Sequence, residues 1–204
     1  MPSTTRSAEP GLQSGVSLRW LLLSAGALGW LASFVLTIEK FELATDPAYL
    51  PSCSINPVLN CGSVMSTPQA AVFGFPNSLL GIAGFAVLAA TGAALLAGGR
   101  FREWYWAVMQ VGVTAAAVFV HWLIVQSLYV IGALCPYCMI VWAATIPVFW
   151  YVTLRNLDRW IPPDRRPAVL DLVLTDHAVP LTVWALTVIA LIAHRFWAYW
   201  VGII

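Results

Sequence analysis

The sequence predicts an all-α integral membrane protein with five spanning helices. Of its 204 residues, 60% are hydrophobic and only 9% are charged, where soluble domains carry about 25% charged residues. The apolar residues also fall in long blocks separated by short polar stretches, as in a chain that crosses a bilayer several times. Lipid offers no partner to a bare backbone N–H or C=O, so each block should be helical.

Taken in order, residues 1–17 are rich in Ser, Thr, Gly and Pro and are expected to be a disordered cytoplasmic tail. The first apolar block, Trp20 to Ile38, carries no charge. It exceeds the roughly 7–15 residues of a signal-peptide core, and no small-residue cleavage site accompanies Glu39 and Lys40, so it reads as a retained span. The second block runs from Leu79 to Ala97 and ends at a tight turn over 98–103. The third, Trp104 to Gln126, contains His121. The fourth, Val130 to Leu154, contains two cysteines and Pro147, an expected kink. A polar linker with Pro162, Pro163 and Pro167 leads to the fifth block, Val179 to Ile204, which contains His194 and Arg195. Aromatic clusters at Trp104–Trp106 and at Trp197, Tyr199 and Trp200 have the composition of interface anchors.

The longest connection, 39–78, holds Pro47, Pro51, Pro57, Pro68 and Pro76 among many apolar residues. A plain tether has no need of that apolar content, so the segment reads as a lid. The run Gln69 to Phe75 is expected to form a short amphipathic helix across the bundle mouth.

Basic residues set the orientation. Arg6 and Arg19 precede span one, Arg100 and Arg102 separate spans two and three, and Arg155, Arg159, Arg165 and Arg166 separate spans four and five. The other two connections hold only Lys40. The positive-inside rule then places the N-terminus in the cytoplasm and the 39–78 and 127–134 segments outside, in a cell (inner) membrane. The net charge of +1 decides little, and no nucleic-acid partner is expected.

By this topology all four cysteines, Cys53, Cys61, Cys135 and Cys138, face the compartment where disulfides persist. In Cys135-Pro136-Tyr137-Cys138 the thiols lie one helical turn apart. Cys135 is near a helix N-terminus, where free N–H groups favour a thiolate, and Pro136 suits the first turn. Cys138 is one turn deeper, within reach of a lipophilic acceptor. Cys53 and Cys61 bracket a Pro- and Asn-containing excursion that reads as flexible, which suits thiol exchange. Two other readings stand beside paired redox chemistry. Static disulfides could brace the outer cap, although a bridge over three helical residues closes almost no loop and stabilises little. The four thiolates could also ligate a soft metal, but exported thiols compete with oxidation.

The order Cys53…Cys61, then Phe75-Pro76-Asn77-Ser78, then Cys135-Pro136-Tyr137-Cys138 resembles the vitamin K epoxide reductase (VKOR) family, and in particular bacterial homologues, over roughly residues 18–155. The resemblance implies a four-helix bundle around a quinone, menaquinone or ubiquinone, capped by the outer loop 39–78. The linker and fifth helix, 156–204, lie outside it. It implies that Cys138 contacts the quinone, that Cys135 exchanges with Cys61, and that Cys53 exchanges with an external dithiol. It also implies quinone contacts from Asn77, Thr67, Val64 and Met65. Asn77 could equally be a helix cap. Where vertebrate members have Tyr, this chain has Trp142, which removes a hydroxyl donor to the ring and argues against vitamin K epoxide as substrate. His121 could relay protons to the quinone or make an interhelical hydrogen bond. Some relatives carry a fused thioredoxin-like domain after the fifth span. Without one, the donor is expected to be a separate DsbA-like or thioredoxin-like protein.

The expected activity is therefore quinone-dependent disulfide formation. A quinone or quinone-epoxide reductase fed by small thiols is the alternative within the enzyme class. A metal-binding or transport protein, or a structural membrane protein with braced loops, is the alternative outside it.

Overall fold

The computed structural model describes residues 18–46 and 48–202, so the expected N-terminal tail lies outside the described residues. Helix α1 spans Leu18–Thr45, α2 Cys61–Met65, α3 Asn77–Leu96, α4 Glu103–Val125, α5 Pro136–Trp160, α6 Ala168–Thr175, α7 Ala178–Arg195 and α8 Trp197–Val201. Five of these are long and apolar enough to cross a membrane: α1, α3, α4 with its continuation to Ile131, α5 and α7. Among the described residues there is no strand, only an isolated bridge between Leu59 and Leu134. The protein is an all-α membrane protein.

Helices α1 and α3 pack along a seam of small residues. A methyl group added at Gly26 would strike Ala89, and one at Gly92 would strike the backbone of Leu23. Lipid supplies no hydrophobic force between helices, so such close backbone approach is what holds them. The core then joins Leu22 and Ala25 of α1, Phe85 and Leu88 of α3, Trp106, Met109 and Val113 of α4, and Ala144, Val148 and Val152 of α5. Helix α7 lies outside this core. It is attached by Trp184 Nε1 donating to His121 Nε2 at 2.9 Å and by Arg195 Nε donating to the carbonyl of Leu128 at 2.8 Å.

Several boundaries differ from the sequence reading. Helix α1 does not end before Glu39 but runs on to Thr45, because Glu39 and Lys40 find partners in the cap, namely Ser52 and the Met65 carbonyl. The outer connection therefore begins after Thr45 rather than at 39. Val130 and Ile131 close span three in a π-helical turn, Gln126–Ile131, and do not open span four. Gly132 terminates that turn in the left-handed region (φ 72°), which glycine enters without the steric cost of a Cβ. The expected helix over 69–75 is a shorter 3-10 turn, Pro68–Ala71, cut off by Gly74 at positive φ. Span four continues to Trp160, and the linker after it folds into a 3-10 turn and α6. Span five breaks at Phe196, which separates α7 from α8.

Candidate active site

The outer connection is not the flexible excursion its composition suggests. Asn56 Oδ1 accepts from the N–H groups of Val58 and Leu59 at 2.9 and 2.7 Å. Asn60 caps α2 by accepting from Ser63 N–H. Ser54 Oγ donates to Asn60 Oδ1 and accepts from Gly62 N–H. These local bonds between side chain and backbone fix the turn between Cys53 and Cys61.

The bridge then joins this turn to the bundle. Asn60 N–H donates to the carbonyl of Leu134 at 2.8 Å, and Leu134 N–H to the carbonyl of Val58 at 2.7 Å. One residue beyond each bridge partner stand Asn60 and Cys135, so the pairing sets Cys61 beside Cys135. The result is a row of sulfurs. Cys53 and Cys61 are joined in a disulfide, Cys61 Sγ lies 3.1 Å from Cys135 Sγ, and Cys135 and Cys138 are free thiols. Cys61 and Cys135 are 0% exposed and Cys53 is 5% exposed, so Cys53 is the sulfur of the three nearest to an external partner.

Cys135 is the N-cap of α5, and its Sγ accepts from Cys138 N–H at 3.4 Å. The neighbouring Cys138 thiol, acting against burial and aided by the backbone N–H groups of Cys138 and Tyr137, holds the Cys135 thiol below its ordinary pKa. Hydrogen bonds to the charged form shift a thiol in this direction.

On its far side Cys138 faces a partly open cavity bordered by all four helices of the bundle and the cap. Leu36 and Lys40 of α1, Val64, Met65, Thr67 and Gln69 of the cap, Asn77 and Ser78 of α3, Leu123, Ser127 and Ile131 of span three, and Trp142 of α5 line it. Six of the seven residues expected at a quinone, Asn77, Cys138, Trp142, Met65, Val64 and Thr67, meet there. His121 does not. It stands two positions from Leu123, about 200° around the helix, and its Nδ1 bonds the Ala117 carbonyl while its Nε2 accepts from Trp184. Asn77 is the first residue of α3 and does not cap it. Its amide clasps the cap instead, donating to the Gln69 carbonyl at 2.7 Å and accepting from Val72 N–H at 3.1 Å. The apolar walls with a few polar groups at one side fit a flat, lipophilic ring bearing carbonyl oxygens.

The sequence profile of the vitamin K epoxide reductase family matches residues 20–153. The chain belongs to that family. No curated protein matches it. Membership makes this VKOR protein an oxidoreductase of membrane thiol–quinone chemistry, a family that works with a thiol partner and a quinone in the membrane. The matched segment contains all four cysteines and every cavity residue, and excludes α7.

The sequence reading missed Lys40, Leu36, Ser78, Gln69 and Glu39. Lys40 and Glu39 stand at the end of an apolar block, where charges ordinarily mark a span's edge, and nothing local marks them as site residues. The metal reading meets a specific obstacle. The Sγ atoms of Cys53, Cys61 and Cys135 lie within 4.8 Å of one another, but two of them are consumed in a disulfide and are not thiolate ligands in this state.

Proposed function

We propose that this VKOR protein reoxidises a separate DsbA-like or thioredoxin-like protein outside the cell membrane and passes the electrons to menaquinone or ubiquinone. The observation that carries this is the 3.1 Å approach of Cys61 to Cys135, which connects a disulfide near the surface to a thiol pair at the cavity. The partner's thiolate attacks Cys53, releasing Cys61. Cys61 attacks Cys135 of an oxidised Cys135–Cys138 pair, freeing Cys138 toward the cavity. Exchange requires the attacking sulfur to approach the disulfide in line and to leave a stable thiolate behind. The lowered pKa of Cys135 suits it to leave as a thiolate in the later step, when the Cys53–Cys61 bond re-forms and the Cys61–Cys135 bond breaks.

The quinone, when bound, supplies an acceptor for two electrons and two protons. Leu36, Val64, Met65 and Trp142 give its ring apolar walls, and Thr67 stands at the cap side. Asn77 has one amide hydrogen beyond the one it gives Gln69, available to an oxygen on which negative charge develops. Four-helix domain 18–155, the accessory segment 156–204 and the cap together make one unit in this reading. The arginines between α3 and α4 and between α5 and α7 support a cap that faces away from the cytoplasm.

The test is quinol formation by purified protein in detergent, with a soluble quinone analogue and a reduced thioredoxin-like donor. Cys135→Ala and Cys138→Ala should abolish it. Cys53→Ala and Cys61→Ala should lose the protein donor but keep slower activity with a small dithiol. Wild-type rates in Cys138→Ala would overturn the relay.

A further inference from the structure

Glu39 is a carboxylate buried to 4% exposure at a point where the relay as derived uses no acid or base. Its surroundings are specific. Oε1 accepts from the backbone N–H of Ser52 at 3.1 Å and from the Ser52 hydroxyl. That hydroxyl lies 3.4 Å from the phenol oxygen of Tyr137, inside the Cys135–Cys138 motif. Oε2 lies 3.4 Å from Cys53 Sγ. In the disulfide state Cys53 has no proton to donate, so this contact is not a hydrogen bond. It leaves Oε2 facing one of the two sulfurs that gain a proton when the loop pair is reduced.

We propose that Glu39 is a catalytic residue of the loop pair, the proton acceptor for Cys53 when the Cys53–Cys61 disulfide re-forms. The assignment rests on the relay above. In that step the loop pair is reduced and Cys61 has already joined Cys135 in a mixed disulfide. Oε2 takes the thiol proton of Cys53 as Cys53 Sγ attacks Cys61 Sγ. The Cys53–Cys61 bond forms, the Cys61–Cys135 bond breaks, and its electron pair leaves on Cys135 as a thiolate. Cys53 is oxidised and Cys135 reduced. The proton stays on Glu39 until the next partner dithiol reduces the loop, when Cys53 departs as a thiolate and takes it back.

A free thiol is mostly protonated near neutral pH, and only the thiolate attacks. Cys53 also sits where bulk water has little access, so a built-in acceptor replaces the solvent as base. Ser52 occupies Oε1 and aims the other oxygen, and Tyr137 extends the same chain of polar groups to α5. Of the titratable groups around Glu39, Cys53 lies against it, and Tyr49 in the cap and Cys135 at the start of α5 feel its charge; Glu42 and Tyr137 act on the same Tyr49, and Lys40 is turned to the Met65 carbonyl.

Glu39→Gln tests this, because the amide oxygen can still accept from Ser52 while the amide nitrogen cannot take a proton. Full-length wild type and Glu39→Gln are fully reduced in detergent and given a soluble quinone analogue. The Cys53–Cys61 disulfide is then followed by acid quench, alkylation and mass, from about pH 6 to 9.5. Near pH 7 the variant should close the loop pair more slowly by about 30-fold, the degree to which a thiol of ordinary pKa, about 8.5, is un-ionised there. The deficit should shrink as the pH rises toward about 9.5, because alkaline solution ionises a thiol without a built-in base. Equal rates at all pH values would overturn the proposal. A deficit that stays constant with pH would also overturn it, because it would report only a structural anchor for Ser52. Wild type that never closes the loop pair would instead refute the relay itself, a result separate from either outcome for Glu39.

Discussion

The two ends of the bundle treat their polar groups in opposite ways. At the end remote from the cap, the inner end in the proposed orientation, Arg155 pairs with Glu103 and lies over the Trp106 ring. Asn156, 1% exposed, donates to the Trp106 carbonyl and to Gln110, which in turn reaches Thr153. The network closes on itself. At the outer end, Asn77, Lys40, Thr67 and Cys138 each make some bonds and also face one cavity. Buried polar groups that satisfy one another lock helices together. Those with capacity left over beside an apolar cavity are placed for a ligand. The difference marks the cap end as the end with polar groups placed for a ligand.

The largest expected effect of breaking this contrast is at Asn77. Asn77→Ala should lower the quinone-limited turnover on the order of 100-fold, the scale of losing one preorganised donor to a developing oxyanion, measured at saturating thiol donor. Unchanged turnover would reduce Asn77 to a clasp for the cap.

Next is the thiol of Cys135. In a protein lacking Cys53 and Cys61, alkylation of Cys135 should be half-maximal below the ordinary thiol value of about 8.5. The lowered pKa means the thiolate persists to lower pH. Adding Cys138→Ala removes the largest cause of that shift and should move the midpoint upward.

At the inner end, Asn156→Ala should cost stability instead. A loss of about 1–3 kcal/mol is expected for leaving the buried partners unpaired, read by chemical unfolding in detergent, with turnover per folded molecule unchanged. The smallest effect belongs to α7. Trp184→Phe removes the bond to His121 and should cost about 0.6 kcal/mol, the average for interhelical hydrogen bonds in a membrane protein. Quinone reduction should not change, because neither residue lines the cavity. A clear loss of turnover would return His121 to the site.

The sequence made the five helices legible because apolar block length is a direct physical requirement of the bilayer. It made legible, through order and spacing, that the cysteines form two pairs, one in the cap and one at the start of span four. What it hid were contacts set by the cap. Cys61 meets Cys135 only through the Leu59–Leu134 bridge, which joins segments far apart in the chain. Glu39 acquires its meaning from Ser52, 13 residues on, after a helix that continues where its charges implied an end. Of the two readings of His121, the interhelical hydrogen bond is the one the structure contains, with Trp184. The depth of His121 was readable, but its side of the helix was not, and two residues of helical rotation point it at Trp184 rather than at the cavity.

The same bridge has a consequence for biogenesis. Its partners, Leu59 and Leu134, come from the cap and from the turn between spans three and four, so it cannot form until the chain has been made beyond span three. A nascent chain with only its first two spans inserted carries the Cys53 and Cys61 thiols but lacks Cys135 and Cys138. In the proposed relay, electrons from a thiol partner then have no path to a quinone. That path is completed only when the cap joins the bundle at this bridge, so under the proposal an immature protein cannot discharge one pool into the other.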